Sequence, residues 1–135
     1  MKLFCGKIDS FEIVTLHLSG MRFTTEYEIV MKDGQAEVSE YTILYGNQED
    51  RRRLDRRVLC GIETALKLLN DCKVLSWDGF SGPHPRGVLD GIMFRFSAVV
   101  NGGKNISAQG SQNFPRHFHD FRDGLYQILR NEEAK

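Results

Sequence analysis

Residues 92–109 read IMFRFSAVVNGGKNISAQ. Ile92, Phe94, Phe96, Ala98 and Val100 alternate with Met93, Arg95, Ser97 and Val99. Successive side chains of a strand point to opposite faces, so this alternation predicts a β-strand with one face to bury. Asn101-Gly102 suits the positive φ of a tight turn, and residues 104–109 return with Ile106 and Ala108 on the same apolar side. A hairpin with one apolar face needs a second layer to cover it.

Working outward toward the N-terminus, residues 22–31 show the same period. Phe23, Thr25, Tyr27, Ile29 and Met31 share one face, and Thr24, Glu26 and Glu28 share a wet one. Asp33-Gly34 then predicts a type I′ hairpin turn into a strand over 35–45. Along that strand the apolar parity switches from Ala36 and Val38 to Tyr41, Ile43 and Tyr45, which predicts an irregularity near Ser39-Glu40. Residues 11–18 form a further strand, with a parity switch around Val14 that a bulge would produce.

Over residues 48–72 the period changes. Leu54, Val58, Ile62, Ala65, Leu66 and Leu69 recur at three- and four-residue intervals, predicting an amphipathic helix with Asn47 as N-cap and Glu49 and Asp50 at its positive end. Leu66→Ala is then expected to cost about 2–5 kcal/mol. Residues 76–91, SWDGFSGPHPRGVLDG, fit neither period and read as one long loop. Pro115 opens a last helix with Phe118, Phe121, Leu125, Ile128 and Leu129 inward. The expected fold is α+β: a two-layer domain over residues 1–135, in order βββαββα. It has a mainly antiparallel sheet of about five strands and two helices on one face.

The chain has 135 residues, with 18 Lys+Arg against 18 Asp+Glu. This length suits one domain with a real core. The balance disfavours nucleic-acid binding driven by bulk charge. It is uneven along the chain, because residues 24–50 carry one base against seven acids and residues 51–73 carry seven against three. With the acids on the wet sheet face and the bases on the outside of a helix, a dipole across the two layers is expected. No apolar run reaches the roughly 20 residues of a membrane span, and no signal-peptide core is present near the N-terminus. Cys5, Cys60 and Cys72 form neither a disulfide framework nor a CxxC zinc pattern, so reduced thiols in the cytoplasm are expected.

The loop 76–91 gathers Trp77, Asp78, Phe80, His84, Arg86 and Asp90, which together supply aromatic, acidic, imidazole and guanidinium groups. Read instead as structure, Trp77 and Phe80 plug the core edge while Asp78 and Asp90 cap turns. Ser111 and Asn113 precede the last helix, where free N–H groups attract anions or are capped locally. Arg52, Arg53, Arg56 and Arg57 project opposite the apolar stripe of the 48–72 helix. They read as a solvated face or as a surface for an anion or acidic partner. Cys60 falls on that same outer face, and Cys72 on the apolar stripe.

His117 and His119 lie two apart on a helix and point about 200° from each other, so they cannot share a metal. No metal and no cofactor are expected. No GxSxG, SxxK, HExxH or Walker lysine motif is present.

Trp77-Asp78-Gly79-Phe80, Val88-Leu89-Asp90-Gly91 and Gly110-Ser111-Gln112-Asn113-Phe114-Pro115 resemble a family of small uncharacterised bacterial proteins across residues 74–129. The resemblance implies no activity, only that these loops belong together. The leading expectation is a non-enzymatic binding or protein-interaction module, acting through loop 76–91 or the arginine face on a protein partner or a small anionic ligand. Its alternatives are a small enzyme or ligand-binding protein with a pocket between that loop and the start of the last helix, where Asp78, His84 or Asp90 serves as acid or base and the helix start holds an anion, and a nucleic-acid accessory protein. An exposed sheet edge also permits a homodimer.

Overall fold

Asp33 and Gly34 take φ of 52° and 81°, the pair of left-handed residues that a two-residue hairpin turn requires. They join β2 (Thr24–Lys32) to β3 (Gln35–Leu44). A computed structural model defines the structure. It describes residues 7–20, 24–44, 51–83, 86 and 91–133. The remaining elements are β1 (Phe11–Ser19), β4 (Arg51–Cys60), α1 (Ile62–Asp71), a 3-10 helix (Val74–Trp77), β5 (Ser81–Gly82), β6 (Met93–Val100), β7 (Lys104–Ser111) and α2 (Phe118–Glu133).

Among the described residues the sheet has seven strands in the order β4-β3-β2-β1-β6-β7-β5. All pairs are antiparallel except the short parallel contact of β5 with β7. The α+β class and the mainly antiparallel sheet are therefore as expected, but the sheet has two more strands than anticipated. The predicted β6–β7 hairpin forms, with Asn101 and Gly102 at positive φ.

Residues 51–60 are the first correction, a strand and not helix. The four-residue step from Leu54 to Val58 imitates a helical turn, but the extra residue Asp55 puts the two on opposite faces of β4. Val58 and Cys60, both buried two residues apart, carry the strand period that decides it. Between them Leu59 is exposed. Pairing along β3 gives the arginines carboxylate neighbours that a lone helix would not have. Helix α1 begins only at Ile62, while Asn47, Glu49 and Asp50 lie outside the described residues.

Two smaller differences follow from backbone geometry. Residues 76–91 are not all loop, since the chain makes a 3-10 turn and then β5. The last helix starts at Phe118 and not at Pro115, because His117 adopts φ 66°, a left-handed conformation that a right-handed helix cannot contain. The register shift in β1 falls between Phe11 and Ile13. In β3 the pairing with β2 is unbroken. The irregularity near Glu40 is an extra residue, Asp55, on β4 opposite the Glu40/Tyr41 step.

The core lies between the helices and one sheet face. Leu16, Leu18, Ile29, Val38, Phe94, Phe96, Ile106 and Ala108 meet Ala65 and Leu69 of α1 and Phe118, Phe121, Leu125 and Leu129 of α2. Leu66 is only half-buried. Among the described residues the opposite sheet face carries no helix, and every candidate for function on it is set by strand register.

Candidate functional site

Register builds this open face in rows. Leu54, Tyr41, Glu26, His17, Arg95, Gln109 and Ser81 face one another in sequence across all seven strands. The neighbouring row is Arg57, Ser39, Glu28, Thr15, Ser97 and Ser107. Both rows are almost wholly polar, whereas the alternate residues of the same strands form the core.

The β2–β4 half of the face is neutralised internally. Arg52 Nη1 donates to Glu26 Oε2 at 2.8 Å and lies 3.6 Å from Glu28 Oε2. Its guanidinium carbon sits 3.9 Å from the centroid of the Tyr41 ring. Burial works against this charge, but the hydrogen bond to Glu26 and the neighbouring acids raise the Arg52 pKa above its ordinary value. Arg57 donates to Ser39 Oγ at 3.0 Å and to Tyr41 Oη at 2.8 Å, with Glu37 at 3.6 Å. Tyr41 is thus buried to 6% exposure on the open face, covered by two arginines. On the other face Arg56 lies 3.7 Å from Glu40, and Arg53 donates to Asp55 at 3.0 Å. The arginine cluster is therefore not an outer helix face. The acidic and basic blocks are neighbours in one sheet and screen each other, which removes the expected dipole across the layers.

The β1–β6–β7 half is different. A cleft of about 590 Å³ is lined there by His17, Ser19, Ser81, Gly82, Pro83, Met93, Phe94, Arg95, Gln109, Gly110 and Ser111. A hollow of about 360 Å³, lined by Thr15, His17, Glu26, Arg95, Phe96, Ser97 and Ser107, shares its His17 and Arg95. The Arg95 guanidinium is exposed and makes no ion pair among the described residues, unlike Arg52 and Arg57 of the same face. His17 Nδ1 lies 3.3 Å from Glu26 Oε1. A carboxylate only accepts, so this contact puts the ring proton on Nδ1 and leaves Nε2 as the second nitrogen of the imidazole.

The residues singled out in the 76–91 stretch are dispersed. Trp77 is 1% exposed, donates from Nε1 to the Arg116 carbonyl at 2.9 Å, and packs on Phe96, Phe118 and Phe121. Phe80 leans on Phe94. Asp78 Oδ1 accepts from the Ser107 N–H at 3.1 Å. Arg86 is exposed in a turn, while His84 and Asp90 lie outside the described residues. Asn113 Nδ2 donates to the Pro83 carbonyl at 3.3 Å. Of the six singled-out residues that are described, only Ser111 lines the cleft, together with Ser81, Gly82 and Pro83 from the loop.

His117 Nδ1 sits 3.2 Å from Asp120, and His119 lies edge-on to Phe114 and Phe118. Cys60 is buried at the sheet edge and not exposed, because it alternates with Leu59 on a strand. Burial, then the charges of Asp120 and Asp71, push the Cys72 thiol up to about 11. Among the described residues no three His, Cys, Asp or Glu side chains are placed to hold one metal ion. No described helix is long and apolar enough to cross a membrane.

His17, Arg95 and Gln109 were missed by sequence reasoning. Their local signal was only that each is the polar member of an alternating strand. Their convergence depends on β1 pairing with β6 across about eighty residues of chain, which no local pattern encodes. A scan of family models finds no match to the chain, and a search of curated proteins finds none.

Proposed function

We propose that the protein is a non-catalytic binding module whose recognition surface is the open face of the sheet, at the cleft between β1, β6 and β7. The observation that carries this is Arg95. It stands on an interior strand, lines both hollows, and has no carboxylate partner among the described residues, while Arg52 and Arg57 on the same face do. An arginine fork without a partner is suited to a carboxylate or phosphate group of a ligand. The cleft's volume matches sites for drug-sized ligands, and Met93, 56% exposed at its rim, offers apolar contact beside the charge. The cleft replaces both the loop surface and the arginine surface as the place of binding.

Amide chemical shifts followed during titration with small organic anions test the reading. Perturbations are expected at β1, β6 and β7, centred on Arg95 and its neighbours, and reduced in Arg95→Gln. Perturbations confined to α1 and α2, or none at millimolar ligand, would overturn it.

A further inference from the structure

We propose that the cleft takes a phosphate-type oxyanion and that the anion binds together with a proton on His17. This deepens the binding-module reading and rests on it.

The donors define the class. Arg95 is flanked across the strands by His17 on β1 and Gln109 on β7, with Ser81 beyond, and Ser19 and Ser111 flank Met93 one row away. Cross-strand neighbours stand about 5 Å apart at Cβ, and these side chains line one cleft. A guanidinium beside amide and hydroxyl donors outnumbers the two oxygens of a carboxylate and suits the three terminal oxygens of a phosphate or sulfate. The remaining volume and the Met93 and Pro83 walls accommodate an organic group on the fourth oxygen.

The proton follows from the tautomer. Glu26 Oε1 receives the Nδ1 proton of His17, and Glu26 is held from its other oxygen by Arg52. The neutral ring therefore has a lone pair at Nε2, which repels an anion beside Arg95. Protonation converts Nε2 into a donor next to the guanidinium. The charged groups around the ring are Glu26 and Glu28 of β2, Arg95 of β6 and, through Glu26, Arg52 of β4. Tyr41 of β3 is the nearest further titratable group in the row.

Inorganic sulfate is the probe, because its charge stays constant between about pH 5.5 and 8.5 and phosphate's does not. Titration calorimetry in two buffers of different ionisation enthalpy gives the protons taken up per bound ion. Proton uptake near pH 7.5 that is absent in His17→Gln supports the proposal. Uptake is measured on the wild-type protein, so the test stands even if the variant fails to fold. Sulfate binding with no proton uptake, or with equal uptake in a folded His17→Gln, overturns the proton coupling but leaves the binding module. Acetate binding as tightly as sulfate overturns the oxyanion class. No binding of either ion, together with no response to larger organic anions, overturns both readings.

Discussion

Arg52 on β4 reaches past β3 to Glu26 on β2, 2.8 Å from Nη1 to Oε2, by laying its guanidinium across the Tyr41 ring. The contact spans three strands and caps an aromatic side chain on a face that carries no helix among the described residues. Arg52→Ala is expected to destabilise the protein by about 1 kcal/mol, combining an exposed ion pair with a cation–π contact. Arg52→Lys should recover only part of this, because an ammonium lacks the planar fork that lies on the ring. Urea denaturation midpoints of the two variants check the order.

A sharper backbone constraint lies at Gly110. A Cβ there would overlap the Asn113 carbonyl oxygen and stand 2.7 Å from Phe94 Cε1. The turn after β7 cannot retreat easily, because Asn113 also packs over Gly82, where a Cβ would stand 2.7 Å from Asn113 Cβ. Gly110→Ala is expected to cost about 2–3 kcal/mol through overpacking. Gly61→Ala, with nothing within 4 Å and no positive φ, should stay within about 0.5 kcal/mol of wild type. Equal melting temperatures for the two variants would show that the crossing over Gly110 is not formed.

The hairpins were legible because their signals are local. Asp33-Gly34 and Asn101-Gly102 fix the turns, and strict alternation fixes which side chains face the core. Residues 51–60 were not, because Leu54 and Val58 carry a helical spacing although the extra residue Asp55 puts them on opposite faces of the strand. The deciding factor is the row of acids on β2 and β3 that the β4 arginines meet after pairing. The parity switch at Tyr41 was real but had a different cause. Tyr41 is apolar in pattern on the open face because Arg52 and Arg57 bury it there. The candidate cleft was illegible for the same reason as β4: its members come from strands paired over long sequence separations.

Helix α1 offers a direct comparison of burial within one element. Leu69 is 0% exposed, whereas Leu66 is half-buried. Leu69→Ala is expected to cost about 3–4 kcal/mol, and Leu66→Ala about 1–2 kcal/mol, below the range that full burial implies. Chemical denaturation of both variants gives the difference directly. A larger loss at Leu66 would mean that α1 is rotated about its axis relative to the sheet.

The two described cysteines give a prediction in pH. Cys60 and Cys72 are both buried, so neither should react with a mild thiol reagent in the native protein at pH 8 at more than a small fraction of the rate of a free thiol. Burial, reinforced by Asp120 and Asp71, raises the Cys72 pKa to about 11 from an ordinary 9.0. The folded state therefore holds the thiol protonated where the unfolded chain already ionises. The sign is fixed: the stability associated with the neutral thiol is complete below about pH 9 and is lost as pH rises from 9 toward 11. Burial, then Glu40, pushes Tyr27 up to about 12 from 10.0, which adds a loss as pH rises from 10 toward 12. Cys72→Ala should flatten the decline between pH 9 and 10 and lessen it up to 11, leaving the Tyr27 contribution between 10 and 12. An unchanged slope in Cys72→Ala would show that the thiol ionises freely, and that α1 does not shield it from solvent.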